Sequence, residues 1–282
     1  MSTKRTDRTV PVRILRSPSL PIRAARSLIR RASIGSYRFR YDIGAVNRPH
    51  YAYLVYHAAR IAKQLGEKRV SVVEFGVAGG NGIVALEYHA ENISRDFGVE
   101  IEIYGFDTAA GLPPSTDYRD LPYHWKPGFF RMDLPALRQR LKRAKLVIGD
   151  IRETIHTFVE KYDPAPIGAI SYDLDFYTST VAALTLLDAP YQYILPRIPV
   201  YFDDVVGTEL EYYNDFTGVR LAIHEFNAAH QSRKLSPLYY LAVFDPATRW
   251  HHQMWSFHAF EHPLYNQFVS QPDQQRPLKP LR

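Results

Sequence analysis

Five times between Arg69 and His230 a short apolar run, too continuous to be half-exposed, is followed by a segment with helical spacing. The runs are RVSVVEFG (Arg69–Gly76), VEIEIYGFD (Val99–Asp107), KLVIGD (Lys145–Asp150), IGAISYDLDF (Ile167–Phe176) and RIPVYFDD (Arg197–Asp204). Strands separated by helices cannot close into hairpins. They pair in parallel, with the crossovers covering both faces of the sheet. A further helix with a glycine stop, YAYLVYHAARIAKQLG (Tyr51–Gly66), precedes the first run. The end of the chain breaks the alternation, because LYYLAVF (Leu238–Phe244) and QMWSFHAF (Gln253–Phe260) lie close together and read as an antiparallel hairpin. The spacing therefore predicts an α/β fold, a Rossmann-like doubly wound and mostly parallel sheet with a C-terminal antiparallel hairpin.

The formal charge of +6 is unevenly placed along the 282 residues. Residues 1–40 carry eleven Lys/Arg against one acid, a net +10. The rest carries 24 basic and 28 acidic residues, a net −4. This divides the chain into a basic N-terminal arm (1–40) and a single domain (41–282). Within the arm, Ile22–Ser33 places Ala25, Leu28, Ile29 and Ala32 on one helical face and its arginines mostly elsewhere. Such a helix suits a targeting peptide, a membrane surface, or packing on its own domain or a partner subunit, the last being the commoner use. No basic stripe remains on the domain to track phosphates, which argues against nucleic acid as a partner. An arm and a body of opposite charge fit a homo-oligomer. The chain has no long apolar run, so no transmembrane span and a cytoplasmic location are expected. The absence of cysteine excludes disulfides, thiolate catalysis and zinc held by Cys.

In a sheet of this kind ligands bind beyond the carboxyl ends of the strands, and there the five runs deliver Glu74, Asp107, Asp150, Asp173 with Asp175, and the Asp203-Asp204 pair. The first turn, EFGVAGGNG (Glu74–Gly82), allows close approach of backbone to a ligand, although it is not a GxGxxG dinucleotide fingerprint. Glu74 would lie near the positive methionine end of S-adenosylmethionine and repel a pyrophosphate. Asp107 is placed to accept from ribose hydroxyls, and Asp150 from an adenine amine. The cofactor-binding set read here is Glu74, Gly76, Gly80, Asn81, Asp107, Asp150 and Ile151. Asp173, Asp203 and Asp204 end neighbouring strands, and converging half-buried carboxylates need a cation. An oxygen-only ligand set selects a hard ion, Mg2+ first, with Mn2+ and Ca2+ as alternatives. Such an ion would lower the pKa of a substrate hydroxyl, with Asp203 as the general base that takes the proton.

VVEFGVAGG, YGFDTAAGLP, VIGDIRETI, SYDLDFYTSTVAAL and YFDDVVG occur in the order seen in the macrocin O-methyltransferase-like family, which the chain resembles over roughly residues 70–230. The resemblance implies a class I S-adenosylmethionine-dependent enzyme that methylates a hydroxyl of a glycosyl or other vicinal-diol acceptor. It implies Mg2+ on Asp173, Asp203 and Asp204, the cofactor over the Glu74–Gly80 turn, and a lid formed by Leu112–Phe130. Two other functions compete. Asp173-Leu-Asp175 is a DxD that suits a metal-dependent glycosyltransferase, and a non-catalytic binding protein could retain the fold. The histidines of WHHQMWSFHAFEH (Trp250–His262) match no familiar metal spacing, and a single one facing the acceptor is an alternative base. Arg48, His50 and Tyr51 of NRPHYAY read mainly as a helix start fixed by aromatics. YHWKPGFF (Tyr123–Phe130) suits stacking on an acceptor or packing on itself.

Overall fold

A computed structural model describes residues 20–270. Seven strands form one sheet in the order β3-β2-β1-β4-β5-β7-β6. They are β1 (Arg69–Phe75), β2 (Glu100–Asp107), β3 (Lys145–Ile148), β4 (Ile167–Tyr172), β5 (Arg197–Phe202), β6 (Arg233–Pro237) and β7 (Met254–Ala259). The first five pair in parallel, and β7 lies antiparallel between β5 and β6. This is the doubly wound arrangement expected, and chain order reverses between β1 and β4, the position where such sheets open a crevice.

Helices α1 (Leu20–Arg31), α2 (Tyr37–Asp42) and α3 (Pro49–Leu65) precede β1, and α4 (Asn81–Phe97) joins it to β2. The remaining helices are α5 (Leu134–Arg140), α6 (Ile151–Tyr162), α7 (Tyr177–Leu184), α8 (Gly218–Ala229), α9 (Tyr239–Phe244) and α10 (Arg249–Gln253). Pro49 begins α3 where a missing N–H costs nothing. Gly66 ends it in the left-handed conformation, returning its N–H to the last turn. Between them Tyr51, Leu54, Val55, Ala58, Ala59 and Ala62 form the buried stripe. The helix sits unusually close to β4, since a Cβ on Gly168 would meet Val70 at 2.4 Å and Ala58 at 3.0 Å. On the opposite face Phe158 of α6 packs edge-on against Phe106 of β2.

Among the described residues no helix is long and apolar enough to cross a membrane. α1 forms where the arm pattern places it, but its Leu28 is 63% exposed, so the described residues leave much of that apolar face uncovered. α2 is fixed to α4 by the Tyr37 hydroxyl on His89 Nδ1 (2.9 Å) and by Arg40 on the Tyr88 hydroxyl (3.2 Å).

The C-terminal antiparallel pair requires one correction. Its first strand is Arg233–Pro237, not Leu238–Phe244, and the apolar run forms helix α9 instead. β6 is an edge strand that buries only Leu235, so it needs little hydrophobic signal. In α9 only Leu241 is buried, and Tyr239, Val243 and Phe244 face outward.

Candidate active site

Four strands carry aromatic residues in register at or one residue before their ends, Phe75 beside Phe106 and Tyr172, and Tyr172 beside Phe202. In-register neighbours point to one face, so the rings form a continuous row, with centroids 4.9 Å, 5.1 Å and 4.8 Å apart along it. This row is a buried apolar floor. The residue after each ring is Gly76, Asp107, Asp173 or Asp203, and all four line one cavity of about 290 Å3.

Gly76 sets the height of the rim. Its φ is +84°, and a Cβ would lie 1.7 Å from the Asp173 carbonyl oxygen, so only glycine lets the tips of β1 and β4 approach. The Asp173 N–H then donates to the Phe75 carbonyl (2.9 Å). The carboxylates of Asp173, Asp203 and Asp204 converge, with one oxygen from each lying within 4.8 Å of the others.

These groups are poorly neutralised. Burial, then the charges of Asp204 and Asp203, holds the Asp173 carboxyl well above the usual range, with Arg48 opposing. Asp204 is buried and pushed up to about 6 by desolvation and by Asp203, although the Asp175 N–H (3.0 Å) and the Tyr213 hydroxyl (3.2 Å) donate to it. Asp203 accepts from the Tyr201 hydroxyl (2.5 Å) and from Gln253 (3.1 Å). Asp175 also lines the cavity. It has a left-handed backbone (φ +59°) and a carboxyl raised by burial and by Asp204. An oxygen donor set of this density, buried and mutually repelling, suits a hard divalent cation.

The other wall carries the sequence-derived cofactor residues in two layers. Gly76, Asp107, Asp150 and Ile151 line the cavity, whereas Glu74, Gly80 and Asn81 do not. Asp107 accepts from the backbone N–H groups of Val77 (3.0 Å), Ala78 (2.8 Å) and Ala109 (2.6 Å). It thereby ties the Gly-rich turn to the end of β2. Asp150 caps α6 through the Arg152 N–H (2.9 Å) and pairs with the Arg152 guanidinium, which lowers its pKa.

Glu74 is 1% exposed and accepts from the Tyr51 hydroxyl at 2.5 Å. Burial pushes its carboxyl up to about 8, and its Oε2 has no hydrogen-bond partner among the described residues. Gly80 adopts φ +76° against Leu137, and Asn81 begins α4 while accepting from Arg140 (2.9 Å). For S-adenosylmethionine, the close backbone at Gly76, the orphan oxygen of Glu74 and a cavity lined by Phe106 and Ile151 form a compatible set.

The insert after β2 is fastened at several points. Leu112 exchanges backbone hydrogen bonds with Gly128 and Phe129. Asp120, fully buried, accepts from the Ser115 hydroxyl (2.5 Å) and from the Thr178 N–H (2.8 Å) and hydroxyl (2.9 Å) of α7. Leu112, Pro113, Trp125 and Phe130 reach the cavity, and the buried Trp125 Nε1 has no hydrogen-bond partner among the described residues.

Several wall residues escaped sequence reasoning. Glu211, Tyr213 and Arg249 line the cavity from the segment after β5 and from α10, and Tyr201 and Gln253 orient Asp203. Only their distance from a strand end could have been read in advance, and that carries no signal. The start of α3 belongs to the support of the site. His50 stacks on Tyr201 (4.6 Å), and burial pushes its imidazole down to about 3. Arg48 (φ +43°) lies over the Tyr51 ring. The histidines of Trp250–His262 disperse: His251 and His252 contact the Asp245 and Pro246 carbonyls, His258 contacts Tyr265, and His262 contacts the Tyr191 carbonyl. None of them lines the cavity.

No protein-family model matches the chain, and no curated protein does. Among solved structures, the calicheamicin methyltransferase CalS11 is similar with a TM-score of 0.51 at 18% identity, covering 92% of this chain and 98% of that one. The O-methyltransferase NovP is similar with a TM-score of 0.49 at 15% identity, covering 74% and 79%. At such identities the likeness to CalS11 is one of architecture. The fold is Rossmann-like, an architecture shared with CalS11, with an antiparallel pair at one edge of the sheet.

Proposed function

We infer that the chain is an S-adenosylmethionine-dependent and Mg2+-dependent O-methyltransferase acting on a hydroxyl of a glycosyl or other vicinal-diol acceptor. The observation that carries this reading is the convergence of Asp173, Asp203 and Asp204 in the same cavity as the glycine-bearing turn at Gly76. When bound, the sulfonium supplies the methyl group and the divalent ion lowers the pKa of the acceptor hydroxyl.

The protein's part is positioning and proton handling. Gly76, Asp107, Asp150 and Ile151 would cradle the nucleoside, and Glu74 with its orphan Oε2 would serve the amino-acid end from beneath the turn. Asp173, Asp203 and Asp204 would hold the ion, and Asp203, oriented by Tyr201 and Gln253, would take the hydroxyl proton. Trp125 and Phe130 of the Leu112–Phe130 insert would cover the acceptor and exclude water, so much of the rate would come from orientation. CalS11, of the same architecture, is described as a calicheamicin methyltransferase, and the macrocin-type motifs favour a glycosyl hydroxyl.

Calorimetry with S-adenosylmethionine, with and without Mg2+, followed by methyl transfer to a panel of sugars, catechols and small alcohols, tests the reading. Cofactor binding and Mg2+-dependent transfer to a diol are expected. Binding of a nucleoside diphosphate sugar without S-adenosylmethionine binding would replace it with glycosyl transfer.

A further inference from the structure

A second cavity, of about 450 Å3, lies between α1, the start of α4 and the end of α5. Among the described residues its charged lining is entirely basic: Arg30, Arg40 and Arg140, with Ser33, Asn47 and Asn81 beside them and no Asp or Glu. Arg40 is only 9% exposed, and among the described residues the one side-chain acceptor it meets is the neutral Tyr88 hydroxyl. Arg140 spends its donors on the Gly79 carbonyl (3.0 Å) and the Asn81 side-chain oxygen (2.9 Å). Among the described residues no carboxylate comes within ion-pair distance of any of the three guanidinium groups. A buried guanidinium with no counter-charge is costly, and two more facing the same space add repulsion.

We propose that the Arg30–Arg40–Arg140 cavity is a binding site for a phosphate-bearing ligand. The guanidinium fork matches phosphate oxygens in pairs, and Ser33, Asn47 and Asn81 supply neutral polar groups around a doubly charged head. The volume falls within the roughly 300–1,000 Å3 usual for small-molecule sites. The site adjoins the Gly79–Asn81 turn through Arg140 and Asn81 and shares no lining residue with the acidic cavity, and it holds whether or not the chain transfers methyl groups.

The test uses the full chain with inorganic pyrophosphate as probe, by calorimetry and thermal melting. One pyrophosphate per chain and a rise in melting temperature with its concentration are expected. Arg30→Ala and Arg140→Ala should each weaken binding roughly tenfold. Arg30→Ala, on an exposed side chain, should also melt no lower than the parent without the anion, because it removes repulsion rather than a contact. Sedimentation with phosphatidic acid vesicles against phosphatidylcholine vesicles separates the sources. Partition onto the former, competed by pyrophosphate and weakened by the same substitutions, assigns a lipid headgroup. Pyrophosphate binding without partition assigns a free phosphate ester. Absence of both pyrophosphate binding and partition, or affinities indifferent to Arg30 and Arg140, overturns the proposal.

Discussion

The two halves of the cavity rim are built from the same element, a strand ending on a carboxylate, yet the carboxylates are treated in opposite ways. At the ends of β1, β2 and β3 each is provided with its own partner: Glu74 takes the Tyr51 hydroxyl, Asp107 takes three backbone N–H groups, and Asp150 takes a helix start and Arg152. At the ends of β4 and β5, Asp173, Asp175, Asp203 and Asp204 crowd one another and are only partly compensated. The first half uses carboxylates as struts that shape a turn. The second accumulates negative potential that an external cation can neutralise.

The largest expected effect lies in the second half. Asp204→Asn or Asp203→Asn should lower methyl transfer on the order of 10³-fold, since Lewis-acid stabilisation is worth several kcal/mol. The same substitutions should leave the chain folded by circular dichroism. Loss of folding with loss of activity would mean that these aspartates are struts as well, and the contrast between the halves would break.

Asp107→Ala should behave in the opposite sense. Three N–H groups lose a charged acceptor, and denaturant unfolding should register a loss of about 2–4 kcal/mol. A neutral result would remove Asp107 from the frame of the turn.

Glu74 sharpens the comparison through pH. Its carboxyl stays protonated in the folded chain up to about 8, whereas in the unfolded chain it ionises near the ordinary value of 4.5. The folded state therefore binds the extra proton between these limits. Stability falls as pH rises through that window, by at most about 1.4 kcal/mol per unit, and levels off above it. Glu74→Gln keeps an acceptor for Tyr51 and removes the ionisation, so its melting curve should be flatter with pH and should lie above the parent's at pH 9. Parallel curves would show that the Glu74 proton is not linked to folding.

The smallest effect is expected for Asp173→Asn in chelator. Relief of repulsion should raise stability by about 1 kcal/mol, with no further gain on adding Mg2+.

Much of the fold was legible because burial on both faces leaves a plain signature. β4, Ile167–Tyr172, is buried at every position, and the turn residues flanking the strands are glycine or acidic. The C-terminal pair was misplaced by one element because the usual link between apolar sequence and burial is reversed there. Exposed Tyr239, Val243 and Phe244 imitate a strand, and Arg233–Pro237, sequestered by hydrogen bonds to β7, does not resemble one. Within the cavity, residues at strand ends could be placed because parallel pairing brings them to one rim. Glu211, Tyr213 and Arg249 arrive from an irregular segment and a short helix, whose paths are set by tertiary contacts such as the Tyr123 hydroxyl on the Glu211 carbonyl (2.7 Å). The sequence also marked the carboxylates at all five strand ends as ligand contacts. Which of them are struts depends on the neighbours that fold against them.

The central claim is that Asp173, Asp203 and Asp204 together bind one divalent ion, and titration with Mn2+ followed by electron paramagnetic resonance measures this directly. The account predicts one bound Mn2+ per chain, displaced by Mg2+ and absent from the Asp203→Asn/Asp204→Asn double variant. No bound Mn2+ in the parent chain, or the same stoichiometry in the double variant, would contradict it.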